Sequence, residues 1–142
     1  NYIGDDDYPH LIIASLIEKE AIHPQDRLLI SGILEKRLKI GMPLQIDASV
    51  VYAKCDGAFL TCDEKTRDLA SKDLKIKSPY NTYLHAGLPP TPISNPGREA
   101  VIAAVNPQKS KYLYYISNPK TGRMVFAQTL DEHNQNRFKY LR

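Results

Sequence analysis

Residues 11–20, LIIASLIEKE, put a carboxylate where an apolar side chain belongs. At helical spacing Ile13, Leu16, Ile17 and Glu20 fall at i, i+3, i+4 and i+7, one continuous stripe. Glu18 faces roughly the opposite side of the same helix, so the two glutamates are not equivalent. A Glu on an apolar stripe reaches to the rim, finds a partner, or stays protonated with a raised pKa. The third state is what a general acid needs at neutral pH. Glycosidases commonly set a second carboxyl across the scissile bond, and Asp47 is the best-placed candidate. Gln45 and Asp47 alternate with Leu44 and Ile46, so an extended segment would show both on one face. Asp56, Asp63, Asp73 and Asp131 lie in polar contexts with no reason to line a cleft.

Other chemistries find little support. Gly4, Gly32, Gly41 and Gly57 are isolated, so there is no phosphate-cradling loop. Ser15, among aliphatics, has no local sign of an activating base. His10, His23, His85 and His133 are dispersed, and Cys55 and Cys62 have no second cysteine pair to complete a zinc site. Neither a metal nor a cofactor is expected. Six residues separate the cysteines around Asp56-Gly57, a spacing equally compatible with a disulfide in an oxidising compartment and with two reduced thiols.

The elements that must position these groups belong to one domain. The chain has 142 residues, 42% hydrophobic and 25% charged, with a net charge of +3 that is scattered rather than striped, so no nucleic-acid surface is expected. Nine Tyr against three Phe lean toward polar, ring-shaped ligands such as sugars. No signal peptide or apolar run of transmembrane length occurs, and the start at Asn1 without Met reads as an excised domain. Asp7 as cap and Pro9 in the first turn open a helix to about Ile22. Pro24 opens a second, with Leu29, Ile30, Ile33, Leu34 and Leu38 buried, Lys36, Arg37 and Lys39 toward its C-terminal end, and Gly41 as its stop. Residues 42–53 are open between strand, on the propensity of Val50-Val51-Tyr52, and a short helix capped by Asp47. Residues 63–77 are charged surface. Residues 78–97 hold five prolines and can be neither a regular helix nor a central strand, yet Tyr80, Tyr83, Leu84, Leu88 and Ile93 give them much to bury. Such a stiffened loop either covers the core or positions polar groups such as Asn81, Thr82 and Tyr83. Asn95-Pro96 caps a helix to about Val105. Residues 111–117 and 123–128 form a hairpin, and Thr129 with Glu132 is a capping box for a last helix. The order predicts an α+β domain: a helical N-terminal half carrying Glu20, a proline-rich irregular middle, and a C-terminal helix, β-hairpin and helix.

Several of these segments occur together elsewhere. ASLIEKE at 14–20, RLKIGMPLQID at 37–47, YNTY at 80–83, GLPPTPISNPG at 87–97, YLYYIS at 112–117, and Phe126 followed by Glu132-His133-Asn134 stand in one order. Together they resemble the catalytic domain of the YceG-like (MltG) endolytic murein transglycosylases, over nearly the whole chain from about Pro9. The resemblance implies a lyase of peptidoglycan that breaks the MurNAc–GlcNAc β-1,4 bond without water. The muramic C6 hydroxyl attacks its own anomeric carbon and leaves a 1,6-anhydromuramoyl end. The second glutamate of EKE, Glu20, is then the catalytic acid and base, in agreement with the stripe. Gln45, Asp47, Asn81, Thr82 and Tyr83 are placed around the glycan, and Glu18, Asn95 and His133 in supporting roles. The resemblance further implies an N-terminal membrane anchor missing from this chain, action on the outer face of the bacterial inner membrane, and termination of nascent strands near the peptidoglycan synthases. That compartment favours a bonded Cys55–Cys62 pair. The family's LysM-like region is absent, and Ala48 stands where a proline commonly follows the aspartate. A hydrolase using Glu20 with Asp47, and a peptidoglycan-binding module without activity, are the alternatives.

Overall fold

The computed structural model describes residues 5–58 and 62–141. Among the described residues, six α-helices and a two-stranded sheet follow in the order α1 (Tyr8–Glu20), α2 (Pro24–Ile40), α3 (Asp47–Lys54), α4 (Glu64–Arg67), α5 (Arg98–Val105), β1 (Tyr114–Ser117), β2 (Met124–Ala127) and α6 (Leu130–Tyr140). The expected α+β class and its three-part order hold. The described residues contain no helix long and apolar enough to cross a membrane.

The core is where α1, α2 and α5 meet. Leu16 and Ile17 of the predicted stripe are fully buried with Ile30, Ile33 and Leu34 of α2. Ala100, Ala103 and Ala104 bring α5 close against α1, because small side chains let two backbones approach. Gly32 allows a similar approach on α2. A Cβ there would lie 1.9 Å from the Gln108 carbonyl oxygen, whose residue also donates its N–H to Leu28 O at 3.1 Å.

Helix ends differ in detail from the sequence-based expectation. Asp7 makes no side-chain cap, and α1 stops at Glu20 rather than Ile22. Pro24 disfavours helical backbone at His23, and Arg27 Nε takes the Ala21 carbonyl at 2.7 Å, holding the exit turn. Gly41 ends α2 in the left-handed conformation (φ 73°), which lets Met42 donate to Arg37 O at 2.9 Å. The ambiguous segment resolves as helix: α3 begins at Asp47 itself, so Asp47 lies in the first turn and caps nothing with its side chain. Asn95-Pro96 likewise precedes the cap, which is Gly97. Thr129 caps α6 as expected, accepting from Glu132 N–H at 3.2 Å, but the returning Glu132 carboxylate takes the N–H of Gln128.

The hairpin pairs Tyr114 with Ala127 and Ser117 with Met124, antiparallel. It is pinned to α2 by Asp26, 2% exposed, whose carboxylate accepts two bonds from Arg123 and the Met124 N–H at 3.0 Å. Burial works to raise the pKa of Asp26, but these donors outweigh it, so Asp26 titrates below the usual aspartate range. Asp26 therefore contributes stability at neutral pH that is lost as pH falls through its depressed pKa. The proline-rich loop is pinned to α1 by Ser15, whose hydroxyl accepts the Ile93 N–H at 3.0 Å and whose carbonyl accepts Ser94 Oγ–H at 2.8 Å. Cys55 and Cys62 are joined by a disulfide.

Candidate active site

Glu20 is the last residue of α1 and opens into a cleft of about 630 Å³. The same cleft is lined by Arg37, Gln45, Asp47, Tyr83, Tyr115, His133 and Arg137, so α1, α2, α3, the proline-rich loop, β1 and α6 all meet there. Tyr115 Oη donates to Glu20 Oε2 at 2.8 Å. Burial lifts the Glu20 pKa to about 7. The Tyr115 bond opposes that rise, the Asp47 charge adds to it, and the Arg37 charge again opposes it. Position at a helix C-terminus also disfavours a negative charge. Near neutral pH Glu20 thus holds a proton it can give up and take back.

Arg37 lies behind this group, 4% exposed, and no carboxylate pairs with it among the described residues. Its guanidinium donates to backbone carbonyls instead: Leu113 O at 2.8 and 3.0 Å, and Leu44 O at 2.8 Å. It therefore ties β1, which carries Tyr115, to the corner that carries Gln45. Burial pulls its pKa below the usual arginine value, yet with five donors and such a high starting pKa it stays charged.

Gln45 sits at that corner with φ 54°, a left-handed conformation that costs a non-glycine residue energy. Thr82 holds it there. Its carbonyl accepts the Gln45 N–H at 3.1 Å, and its Oγ1 accepts the Ile46 N–H at 2.8 Å and shares a bond with Ser49 Oγ at 2.9 Å. Asn81 is equally committed. Its amide donates to Leu74 O and Ile76 O, and its Oδ1 accepts the Tyr83 N–H at 3.0 Å. Asn81 and Thr82 are 0% and 2% exposed and do not line the cleft, which corrects their expected placement around a glycan. They are bracing residues, and Tyr83 is the member of YNTY that reaches the cavity. Its hydroxyl donates to Asp47. Burial, that bond and the charges of Asp47 and Glu20 push its pKa far above the usual tyrosine range.

Of the residues expected to support the site, only His133 is in the cleft lining. It stacks on Tyr114 with ring centroids 5.2 Å apart. Burial, then the Arg137 and Arg37 charges, lower its pKa, so it is neutral at pH 7. Glu18 faces away, accepting the Gly97 N–H at 3.4 Å and pairing with Arg27 at 3.4 Å, which joins α1 to the start of α5. Asn95 is exposed and lies outside the cleft lining.

Sequence reasoning missed Arg37 and Tyr115. For Arg37 a signal existed: Ile30, Ile33, Leu34 and Arg37 repeat the i, i+3, i+4, i+7 stripe that singled out Glu20. Tyr115 had none, since it reaches Glu20 only through a hairpin 95 residues away.

With this geometry in view, the comparisons with known proteins are consistent. The chain is 45% identical over 131 residues to the endolytic murein transglycosylase of Bacillus subtilis (strain 168), covering 92% of this chain and 34% of that protein. It is 36% identical over 126 residues to the endolytic murein transglycosylase of Streptococcus pneumoniae serotype 2 (strain D39 / NCTC 7466), covering 89% of this chain and 22% of that protein. It thus spans about a third or less of the length of these relatives. A crystal structure of a YceG-like protein from Listeria monocytogenes superposes with a TM-score of 0.79 at 44% identity, covering 90% of this chain and 39% of that one. The model of the YceG-like family matches residues 3–139, and the chain belongs to that family.

Proposed function

We propose that this chain is the catalytic domain of an endolytic murein transglycosylase, a lyase that cuts peptidoglycan strands between MurNAc and GlcNAc. One observation carries the reading: a single glutamate with a pKa of about 7, held by a tyrosine hydroxyl in a cleft of about 630 Å³. The names of the longer relatives support it. Protonated Glu20 gives its proton to the glycosidic oxygen as the bond from the muramic anomeric carbon breaks. The oxocarbenium-like centre faces a cleft that also holds the oxygens of Asp47 and Gln45, dipoles suited to developing positive charge. The muramic C6 hydroxyl then bonds to that carbon and returns its proton to Glu20. The acid is regenerated and a 1,6-anhydro ring closes. As in the longer relatives, the natural setting is a larger protein, here taken as anchored on the outer face of the bacterial inner membrane, ending nascent strands beside the peptidoglycan synthases.

Asp47 in the same cleft favours one second reading, a hydrolase in which Asp47 directs water. Mass analysis of muropeptides from digested murein decides between them. Anhydromuramoyl ends, one water lighter than reducing ends, are expected. New reducing ends alone would make the protein a hydrolase, and no new ends of either kind would leave it a binding module.

The Tyr115 bond has its own consequence. The hydroxyl stabilises the Glu20 carboxylate more than the acid, so it helps proton donation and holds the pKa down. In Tyr115→Phe, kcat is expected to fall about tenfold. Because the acid form is needed first, wild-type activity declines as pH rises through about 7, and this limb moves to higher pH in the variant. A pH profile with an unmoved limb would reduce Tyr115 to a packing role.

A further inference from the structure

One helix contributes to the cleft without contributing to the core. Among the described residues none of α6 is buried, and α6 packs chiefly against the two strands. Its cleft-facing side is His133, Arg137 and, just past the helix end, Leu141, spaced i, i+4 and i+8 on one face. Such a helix, polar nearly all round, gains little from apolar burial, so the side chains it aims into the cavity are free to serve a ligand.

Two of those side chains lack a counterpart. Arg137 forms no ion pair among the described residues, although its charge is felt by His133 and by Tyr83 across the cavity. His133 Nδ1 is buried with no hydrogen-bond partner, a costly state in a folded protein unless something else completes it. The other cations at the cleft differ: Arg37 is engaged by the Leu113 and Leu44 carbonyls, and Lys19 lies on α1 beside Glu20.

A glycan strand of GlcNAc and MurNAc is neutral along its sugar rings. Its negative charge hangs from the muramic sugar, as the carboxylate of the lactyl ether or of the peptide joined to it. Resting on the function proposed above, we infer that the His133–Arg137–Leu141 face of α6 is a subsite for the muramyl substituent. Arg137 pairs with its carboxylate, His133 Nδ1 bonds to an adjacent polar group, and Leu141 covers the lactyl methyl. Arginine suits this task because its planar fork matches a carboxylate with two parallel bonds.

The test is calorimetric binding to Glu20→Gln protein, which cannot consume the probe. Three tetrasaccharides of alternating GlcNAc and MurNAc are compared: free lactyl carboxylates, lactyl N-methylamides, and a lactyl-linked dipeptide ending in a free carboxylate. Adding Arg137→Gln is expected to weaken one or both carboxylate probes about tenfold and to leave the methylamide unchanged, with Arg137→Lys recovering part of the loss. Which carboxylate probe loses more identifies its source. Equal loss on all three, no loss on any, or no binding of any probe overturns the subsite. Murein cleavage by the wild-type protein is scored separately, so a cleaving enzyme indifferent to Arg137 rejects the subsite while keeping the function. Arg137 is exposed, and matching thermal melts confirm that its variants fold.

Discussion

Glu20→Gln is expected to cut the release of anhydromuramoyl ends by about 10³-fold or more, while making the protein more stable above pH 7. The two effects have one cause. Glutamine keeps the shape and an oxygen for the Tyr115 hydroxyl but neither gives nor accepts the reaction's proton. In the wild type the folded state raises the Glu20 pKa from 4.5 to about 7, so it holds this proton more tightly than the unfolded chain does. Between those values the unfolded state binds fewer protons, and stability falls as pH rises. Below pH 4.5 both states are protonated and nothing is lost. The full penalty, present above pH 7, is at most about 3 kcal/mol, and less because Glu20 keeps some exposure. The variant escapes it. Melting curves for the two proteins should coincide near pH 4 and separate by pH 8 with the variant higher. An inactive variant with no such separation would mean that Glu20 is not held in a proton-retaining site, and an active one would remove it from the mechanism.

Arg37→Met should produce the largest loss of stability at the site, about 3 kcal/mol, or a fall in Tm of about 10 °C. The guanidinium, itself 4% exposed, satisfies the buried carbonyl of Leu44 and the part-buried carbonyl of Leu113. Methionine fills similar volume but leaves these acceptors without a donor, at about 1–3 kcal/mol each. Arg37→Lys should recover little, since one ammonium on a single stem cannot span both carbonyls. Activity should fall too, because the hairpin bearing Tyr115 and the corner bearing Gln45 lose their common anchor. Loss of the nearby cation also moves the basic limb of activity to higher pH, in the same direction as Tyr115→Phe. Thermal denaturation followed by circular dichroism measures the first effect, and an Arg37→Met protein that melts with the wild type would show the clamp to be idle.

Local pattern carried much of this. The stripe through Ile13, Leu16 and Ile17 chose Glu20 over Glu18, and the structure places them as that phase requires, one in the cleft and the other beside Gly97. The two opening helices, the hairpin and the last helix were legible because period and capping chemistry are properties of neighbouring residues. The strand-or-helix ambiguity at residues 42–53 was not resolvable locally. The β-branched and aromatic side chains of Val50 and Tyr52 favour a strand by local propensity, but the segment packs on α1 as the helix α3.

Within YNTY, sequence presents Asn81, Thr82 and Tyr83 as equals. Only the fold shows that two are spent on backbone groups while the third reaches Asp47. Sequence by itself determined which faces are apolar, and therefore that a glutamate interrupts one of them. Tertiary structure decided which groups meet that glutamate: Tyr115 from a hairpin 95 residues away, Asp47 from the start of α3, and Arg37 from α2. A pKa near 7 is set by desolvation and by charges brought together across the fold, and neither exists until the chain has closed around Glu20.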